Sequence, residues 1–595
     1  MTVLPEETVK VGSPLPQRKF GRSGQRSKSV VTAPDWGNEL QICELVELSG
    51  VPNFQGCRIE LATHFCLDRW EELLREYPDK QVIDLLRYGF PISFEGELDW
   101  LGGGEVVNHR GAVEFSEKVD EYLCKEISLG AVMGPFDSSP FDKPCKLSPL
   151  NTVEKKDSDE RRVILDLSFP EGHSVNDGID KKRYLGEPIE LKFPSVDAFG
   201  ALIFRKGQGC VMFKRDLKRA YRQILVCPGD VRKLGYKWRG RMYLDKVVCM
   251  GLRSGAYICQ RVTNAIRHVQ VSKGFDTVVY LDDFAGAEVS QKGLIAFEEM
   301  GNTFVELGAV ESVDKRTPPN TLMLFIGIWF DSWKLTMEVD PKKLAWLEKE
   351  LPGWLSRQKA TRKEVERLVG FLGFVAKCVR PARMFLARML DEFRQMPLRG
   401  QVGLSLDFKR DIYWWVYFMP QYNGISLIPV PHWSEVNSVI ATDACLTGCG
   451  GFNFVSNQFF HAVFPVEVLE AHWSINELEL LAVMVALKVW SQQLRAERFR
   501  IHCDNTTAVA AMNLSRMRNK NVQACMREIA YWAAVGEFEV SVVHIEGARN
   551  TLPDLLSRWH QGDHFRRQFC QLTHSSEAVE VLIRPEDFQF TGQWL

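Results

Sequence analysis

Two adjacent aspartates, Asp282 and Asp283, follow the apolar run 278–281, which has the composition of a buried β-strand. Two ionised carboxylates at the end of such a strand repel each other and lose hydration unless a divalent cation or cationic side chains compensate them. Carboxylates that hold a pair of metal ions are typical of enzymes that catalyse in-line phosphoryl transfer. An acidic hairpin turn would have the same local sequence, so the pair alone leaves both interpretations open.

A third acidic residue, Asp216, lies upstream in the segment 213–221. We expect a strand to enter Asp216 and a helix to leave it, which would bring its carboxylate toward the aspartate pair. Three carboxylates from two strand ends suit two octahedral Mg²⁺ ions, which prefer oxygen ligands and keep positions open for substrate phosphates. Tyr221 would then lie beside the sugar of an incoming nucleotide, where its ring would clash with a ribose 2′-hydroxyl.

The segment 213–221 resembles motif A of reverse transcriptases, and the segment 280–283 resembles their Tyr-x-Asp-Asp motif C. Further family segments follow in the family order, although Met250 and Ala256 stand where relatives commonly have Phe or Gln and Pro. The resemblance implies that a lysine and an arginine of the fingers grip the triphosphate, and the sequence does not separate the two candidate lysines. The residues implied to bind the deoxynucleoside triphosphate are Lys155, Lys156, Arg162, Leu217, Tyr221, Gly251, Gln260 and Lys315.

Four further acidic residues after position 436 suit a second metal site. Asp443 ends a predicted strand before the glycine-rich segment 448–452, and Asp504 ends another strand. Glu479 lies near the start of a long predicted helix, and Asp554 enters what we expect to be the final helix. These four carboxylates could converge on two Mg²⁺ ions and activate water against a phosphodiester.

This second set resembles the Asp-Glu-Asp-Asp residues of ribonuclease H, and the spacing Asn-x₃-Asp-x-Leu-Ser-Arg at 550–558 is typical of its retroelement version. Glu479 fits better than Glu477 because the family glutamate directly precedes Leu-x-Ala, whereas Glu477 could favour the helix N-terminus. The His-bearing loop that cellular and retroviral enzymes have before the last aspartate is missing from this sequence. A ribonuclease H fold without activity is the alternative interpretation.

The resemblance implies an α+β and α/β multidomain fold, in which a right-hand polymerase of fingers, palm and thumb precedes a ribonuclease H-like domain. It covers about residues 134–559. The predicted segments are a flexible basic arm (1–38), an N-terminal region of unknown role (39–130), fingers and palm (131–338), thumb (339–400), connector (401–435), ribonuclease H domain (436–560) and C-terminal tail (561–595).

Charge is distributed unevenly along the chain. The formal net charge is only −2, but residues 341–400 contain 14 Lys and Arg against 6 Asp and Glu, a local net charge of +8. This block falls where polymerases of the resembled class have a thumb, so its cations would hold phosphates of a template–primer duplex without reading sequence. A solvated helical face is the alternative interpretation.

The 15 cysteines are scattered without a disulfide or zinc-binding pattern, which favours reduced thiols in the cytoplasm or nucleus. The sequence has no N-terminal apolar signal region, and no run approaches eighteen apolar residues. We therefore expect an intracellular protein that is not associated with a membrane.

The resemblance implies an RNA-directed DNA polymerase with ribonuclease H activity that uses two Mg²⁺ or Mn²⁺ ions per active site. Its partners would be an RNA template, a DNA primer, the RNA–DNA hybrid and deoxynucleoside triphosphates; the sequence indicates no oligomeric state. Segments such as 148–150 and 174–178 resemble tyrosine-recombinase retrotransposons of the DIRS and Ngaro type, with long-terminal-repeat retrotransposons and pararetroviruses as alternatives. Two other functions stay open, a domesticated nucleic-acid-binding protein and an RNA-directed RNA polymerase.

Overall fold

The computed structural model describes residues 35–49, 58–96, 106–154, 160–190, 193–422, 424–428, 438–495, 497–514, 519–574 and 576–592. The basic arm predicted at 1–38 lies almost wholly outside these residues, but its last two residues belong to a helix that begins at Gly37. Within the described ranges, no helix is both long and apolar enough to cross a membrane. The described cysteines are all free thiols.

Helices are found along the whole described chain. Their bounds are α1 Gly37–Leu48, α2 Leu67–Leu73, α3 Gln81–Tyr88, α4 Arg110–Glu114, α5 Ser116–Ser128, α6 Val196–Lys206, α7 Gly255–Ser272, α8 Ser290–Leu307, α9 Pro341–Ser356, α10 Arg362–Val375, α11 Ala387–Gln395, α12 Leu406–Phe418, α13 Val466–Glu470, α14 Ile475–Trp490, α15 Thr506–Leu514, α16 Lys520–Val535, α17 Thr551–Ser557 and α18 Asp563–Thr573.

The strands alternate with these helices, which makes the fold a mixed α/β one. Their bounds are β1 Val132–Phe136, β2 Leu150–Glu154, β3 Arg161–Leu165, β4 Arg183–Tyr184, β5 Glu187–Pro188, β6 Val211–Asp216, β7 Gly235–Trp238, β8 Arg241–Asp245, β9 Thr277–Tyr280, β10 Asp283–Glu288, β11 Thr317–Asn320, β12 Leu322–Phe325, β13 Ile328–Asp331, β14 Thr336–Val339, β15 Lys359–Thr361, β16 Gln401–Gly403, β17 Ile425–Leu427, β18 Ser438–Ala444, β19 Gly448–Asn453, β20 Gln458–Val463, β21 Arg498–Cys503, β22 Glu539–His544 and β23 Val579–Glu580.

The described residues form two compact bodies. The first body takes its residues from Met1–Ile59, Glu97–Asp177 and Pro228–Lys246. It contains the antiparallel sheet β1-β8-β7 and the hairpin β2–β3. Buried apolar side chains that include Trp36, Met133 and Leu244 form its core.

The second body takes its residues from Glu60–Gly96, Gly178–Cys227 and Val247–Leu595. At its centre is the antiparallel sheet β11-β6-β10-β9, against which α6, α7 and α8 pack.

The region 39–130, whose role the sequence leaves unknown, is divided between the two bodies. Its part in the second body contains α2 and α3, which contact α8 and α7. Trp70 of α2 is fully buried, and its indole nitrogen donates a hydrogen bond to the Leu307 carbonyl at 2.9 Å. A segment far away in the chain thus supports the helices behind the central sheet.

A second sheet, β12-β13-β14-β17, joins strands at the end of the predicted palm to a strand of the predicted connector, and helices α9 to α12 lie between them in the chain. Thr361 and Glu364 form a reciprocal capping box that starts α10. The rings of Phe385 and Trp414 stack 4.1 Å apart in the core of this region. Tyr531 of α16 belongs to the same core, so packing is continuous across the predicted connector boundary.

The C-terminal region contains a six-stranded sheet in the order β22-β21-β18-β19-β20-β23. Strand β18 is parallel to β21 and antiparallel to β19, and the buried helix α14 packs on this sheet. The predicted tail joins the domain, because β23 pairs in parallel with β20 and Phe588 enters the core. The helix that contains Asp554 is α17, and it is not the final one as expected, because α18 follows and packs on it.

Candidate active sites

Strands β6, β9 and β10 bring the first three predicted carboxylates together where these strands end, at one end of the central sheet. Asp283 lies directly opposite Asp216 in the antiparallel register of β10 and β6. The Leu217 amide donates a hydrogen bond to the Asp282 carbonyl at 2.9 Å, which ties the turn between β9 and β10 to the end of β6. Strands β9 and β10 thus form a hairpin, and its turn places Asp282 beside the other two aspartates.

The hairpin turn is held by Gln260, a fully buried residue of α7. Its amide oxygen accepts a hydrogen bond from Leu281 N at 2.7 Å, and its amide nitrogen donates to Val279 O at 2.9 Å. Leu281 has a φ of +56°, a conformation that a residue other than glycine keeps only when surrounding contacts impose it. In this structure Gln260 therefore contacts the turn that carries the aspartates.

Two lysines face the three carboxylates. Lys315 Nζ lies 3.0 Å from Asp216 Oδ1, and Lys214 Nζ lies 3.3 Å from Asp283 Oδ2. Sequence reasoning assigned Lys315 to the nucleotide and passed over Lys214, whose position two residues before Asp216 on the same strand was an available signal. These two cations leave one of the three negative charges uncompensated.

Burial works against the charged forms of these aspartates. It raises the pKa of Asp216, and the neighbouring charge of Asp282 raises it further. Burial likewise raises the pKa of Asp283 to about 6, although Lys214 opposes this shift. Asp283 Oδ1 is buried without a hydrogen-bond partner in the described part of the chain. Such carboxylate oxygens fit the oxygen-ligand preference of Mg²⁺, so the residues present are compatible with the expected ions.

The segment that leaves Asp216 differs from the expectation. Instead of an α-helix it forms a turn followed by a 3₁₀ helix at Ala220–Gln223, because Arg219 has a left-handed φ of +55°. Tyr221 lies in that 3₁₀ helix, close to the start of α7 at Gly255. Burial raises the pKa of its phenol.

Gly251, the other predicted nucleotide contact of this region, has a φ of +99°. Glycine adopts this conformation readily, whereas residues with a side chain rarely do. The structure thus gives a local backbone reason for glycine at this position, independent of any nucleotide.

Arg162, the predicted triphosphate-binding arginine, belongs to the first body. Lys155 and Lys156 lie outside the described residues, so the choice between them stays open. Arg162 is exposed on β3, while its neighbour Arg161 is tied to Glu154 and packs 3.6 Å from the Phe115 ring. Of the two arginines, Arg162 is therefore the one whose side chain is presented to solvent.

The second predicted set of carboxylates lies at the C-terminal sheet. Asp443 is in β18 and Asp504 directly follows the parallel neighbour β21, while Glu479 comes from α14 and Asp554 from α17. Ligand atoms of Glu479, Cys503 and Asp504 all lie within 4.8 Å of one another. The thiol of Cys503, which sequence reasoning did not consider, donates toward Glu479 Oε2 at 3.8 Å.

Asp443 and Glu479 of this set are buried and lie near other carboxylates. Burial raises the pKa of Glu479 to about 9, and the charges of Asp443 and Asp504 add to the shift. Burial and the same kind of repulsion raise the pKa of Asp443 to about 7, against a hydrogen bond from Ser557 that lowers it. A divalent cation would relieve this repulsion, so the donor set fits Mg²⁺ or Mn²⁺.

The two glutamates at the start of α14 have different environments. Glu477 forms a capping box with Ser474 and also accepts hydrogen bonds from Asn519 at 2.9 Å and Asn521 at 2.7 Å. Its carboxylate is engaged in holding the helix start, and these bonds lower its pKa. Glu479 instead contacts the residues at the end of β21.

The polar residues of the segment 550–558 connect α17 to the acidic site. Asn550 Nδ2 donates a hydrogen bond at 2.9 Å to the carbonyl of Thr442, the residue before Asp443. Ser557 Oγ donates to Asp443 Oδ2 at 2.6 Å, and Arg558 pairs with Asp554 at 2.7 Å. The spacing of this motif was visible in the sequence, but the partners of its polar residues were not.

Two glycines let α17 approach the sheet closely. A Cβ atom at Gly450 would lie 2.3 Å from Leu556 Cβ, and one at Gly448 would lie 2.9 Å from the Ser557 carbonyl. Real Cβ atoms do not approach other atoms so closely, so glycine is required at both positions of β19. The glycine-rich segment 448–452, which pairs with β18 in a hairpin, therefore also sets the position of Asp554.

One histidine lies next to the site despite the missing loop. His544, the last residue of β22, has its Nε2 atom 3.1 Å from the Asp504 carbonyl oxygen. The side chain is exposed.

Comparisons with known proteins agree with this part of the structure. Residues 437–532 match the family of RNase H-like domains found in reverse transcriptase. No curated protein matches the chain. This match assigns the segment 437–532 to the ribonuclease H-like class.

Similar solved structures include three of foamy viral protease-reverse transcriptase, each 12% identical to this chain. The dRH form in complex with double-stranded DNA gives a TM-score of 0.45 over 88% of this chain and 84% of that chain. The complex with an RNA/DNA hybrid gives a TM-score of 0.42 over 82% of this chain and 64% of that chain. A further complex with double-stranded DNA gives a TM-score of 0.42 over 82% of this chain and 98% of that chain. These values are too low to transfer an activity to this chain.

Proposed function

We propose that this protein is an RNA-directed DNA polymerase that also cleaves the RNA strand of RNA–DNA hybrids. The observation that carries the proposal is the presence in one chain of two separate sets of crowded carboxylates, each of which pairs with fewer cationic side chains of the described residues than it has carboxylates. One set is Asp216, Asp282 and Asp283. The other is Asp443, Glu479, Asp504 and Asp554, and its first three members lie in the segment 437–532 that matches RNase H-like domains of reverse transcriptase. Two acidic metal sites of this kind suit one phosphoryl transfer to a hydroxyl and another to water.

At the polymerase site, Asp216, Asp282 and Asp283 would hold two Mg²⁺ ions. When bound, the ions lower the cost of the charge that develops on the attacking and leaving oxygens. The primer 3′-oxygen forms a bond to the α-phosphorus of a deoxynucleotide, and the bond to pyrophosphate breaks.

The side chains around these carboxylates bind and select the nucleotide. Tyr221 excludes a ribose 2′-hydroxyl, and Leu217 and Gly251 contact the nucleotide. Lys315, whose ammonium now pairs with Asp216, is free to face phosphate oxygens once that carboxylate holds a cation. Independently of this geometry, the family resemblance assigns binding of the triphosphate to Arg162 and to one of the lysines at 155 and 156.

At the ribonuclease H site, Asp443, Glu479, Asp504 and Asp554 would hold the ions. The oxygen of water forms a bond to the phosphorus of the RNA phosphodiester, the bond from phosphorus to one ribose oxygen breaks, and that oxygen leaves as a hydroxyl with a proton from the water. The template is RNA, the primer is DNA, and the product hybrid is the substrate of this second site. The basic block at 341–400 would hold the duplex through its phosphates.

We further propose that the protein copies the RNA of a retrotransposon of the DIRS or Ngaro type inside the cell. Segments 148–150, 174–178 and 504–509 support this assignment by their resemblance to those elements. Free thiols at all described cysteines support an intracellular location.

A single labelled RNA–DNA hybrid with a recessed primer tests the proposal, because it reports extension and cleavage in one reaction with Mg²⁺. We expect the wild-type protein to perform both reactions, Asp283→Asn to lose extension only, and Asp504→Asn to lose cleavage only. Each variant serves as the folding control for the other. If the wild-type protein binds the hybrid but performs neither reaction, the proposed enzymatic function is refuted and the nucleic-acid-binding protein is the function that fits.

A further inference from the structure

The side chain of Gln223 connects the turn before Tyr221 to the chain that follows α8. Its amide nitrogen donates to Lys218 O at 2.7 Å and to Val310 O at 2.9 Å. Its amide oxygen accepts from Val310 N at 2.8 Å and lies 3.1 Å from His64 Nε2. The side chain is only 9% exposed, so these hydrogen bonds form in the protein interior.

The turn that Gln223 holds has an unfavourable backbone conformation. Arg219 has a φ of +55°, and a residue with a side chain stays in this region only when surrounding contacts determine it. Backbone hydrogen bonds reach the same turn, among them Lys218 N to Val310 O at 2.9 Å and Arg222 N to Arg219 O at 2.8 Å. Without the Gln223 amide, Lys218 O and Val310 N would lose the hydrogen-bond partners described above.

Tyr221 follows this turn by two residues, so the position of its ring depends on how firmly the turn is held. The ring lies close to the start of α7, where a Cβ atom at Gly255 would be 3.4 Å from Tyr221 Cε1. Deoxynucleotides and ribonucleotides differ by one hydroxyl, and a displacement of about 1 Å can change a rate about 100-fold. A small movement of the ring would therefore be enough to admit the hydroxyl.

We propose that Gln223 is a positioning residue that sets the discrimination against ribonucleoside triphosphates by holding Tyr221 in place. The proposal rests on the proposed function, because it takes Tyr221 to face the sugar of the incoming nucleotide. Gln223 touches neither nucleotide nor metal in this scheme and acts through the turn.

The experiment compares kcat/KM for a deoxynucleoside and the matching ribonucleoside triphosphate in primer extension by the full-length protein. We expect Gln223→Met, which keeps the size of the side chain but removes its hydrogen bonds, to lower discrimination about tenfold, the effect of about one lost buried hydrogen bond. Gln270→Met is the matched control. Gln270 of α7 is also buried and accepts a hydrogen bond from Thr277 Oγ1 at 3.0 Å, but it does not contact the turn before Tyr221, so its loss should leave discrimination unchanged.

A double-mutant cycle separates positioning from general loosening of the fold. If Gln223 acts through Tyr221, Gln223→Met should not change discrimination further in a Tyr221→Ala background. Additive effects of the two substitutions would overturn the proposal. The proposal would also be overturned if the Gln223→Met variant unfolds cooperatively on heating, as a folded protein does, and still discriminates as well as the wild-type protein.

A second variant, Gln223→Asn, is used if Gln223→Met does not fold. It keeps an amide, but its side chain is too short to bridge both carbonyls. It should also lower discrimination, and wild-type discrimination in the folded variant would overturn the proposal. Failure of the wild-type protein to extend a primer with deoxynucleotides would instead refute the proposed function, so the two failures are distinguishable.

Discussion

Ser557→Ala should reduce ribonuclease H cleavage without changing polymerisation. Ser557 is fully buried, and its hydroxyl donates a hydrogen bond to Asp443 Oδ2 at 2.6 Å. A hydrogen bond to a charged group contributes about 1.5–3 kcal/mol. Since each 1.36 kcal/mol corresponds to about a factor of ten in rate, the loss should slow cleavage about 10- to 100-fold.

The pH dependence of cleavage gives a second readout of the same change. The Ser557 hydrogen bond lowers the pKa of Asp443, which burial raises to about 7. Removing the hydroxyl should raise that pKa further, so the acidic limb of the pH–rate profile should move to higher pH. A substitution that only loosened the domain would lower the rate at every pH and leave the limb in place.

The assay is cleavage of a labelled RNA–DNA hybrid at saturating Mg²⁺, with primer extension on a DNA template by the same preparation as the internal standard. Ser456→Ala is the matched control, because Ser456 is an exposed serine of the same domain. Wild-type cleavage by Ser557→Ala over the whole pH range would refute the role that we assign to this hydroxyl.

Two further predictions concern support of the sites. Gln260→Met should lower primer extension about tenfold while hybrid cleavage is kept, because the turn at Leu281 loses its buried hydrogen-bond partner; unchanged extension would contradict this. Gly450→Ala should lower the free energy of unfolding by about 1–3 kcal/mol in denaturant titrations, because the new Cβ would overlap the backbone and side chain of Leu556. The control Gly373→Ala in α10 has open space around its new Cβ and should not destabilise the protein.

Local patterns predicted the strand ends that carry the carboxylates. The apolar run before Asp282 forms β9, and the strand before Asp504 is β21. Both strand predictions were correct because a buried strand requires a continuous apolar run, which is visible in a few neighbouring residues. The start of the helix that contains Glu477 could likewise be predicted from the sequence, since Ser474, the partner of Glu477 in the capping box, is only three residues away.

The turn after Asp216 shows why other predictions failed. The segment 217–221 has a spacing that allows a helix, but Lys218 uses both its amide and its carbonyl to contact Val310 and Gln223. The contact with Val310 spans about ninety residues of sequence and leaves no local pattern. The same limit applies to Trp70 against Leu307 and to the C-terminal strand β23, whose partner β20 lies more than a hundred residues earlier.

The two acidic sites differ in how much of their charge the protein compensates, and this difference predicts their dependence on metal and pH. Lys214 and Lys315 face three carboxylates at the polymerase site, whereas Arg558 pairs with one of four at the ribonuclease H site. Burial is the main cause that raises the pKa of Asp283 to about 6, of Asp443 to about 7 and of Glu479 to about 9, and repulsion between neighbouring carboxylates adds to each shift.

Because protons compete with a metal for carboxylates, a higher pKa makes metal binding more sensitive to acid. Between pH 8 and pH 6, competition at a group of pKa about 7 raises the half-saturating Mg²⁺ concentration about tenfold, against about twofold at a group of pKa about 6. We therefore expect the Mg²⁺ requirement of cleavage to rise at least five times more than that of extension when both are titrated on one hybrid. Equal shifts for the two reactions would contradict the assignment of the more crowded carboxylates to the cleavage site.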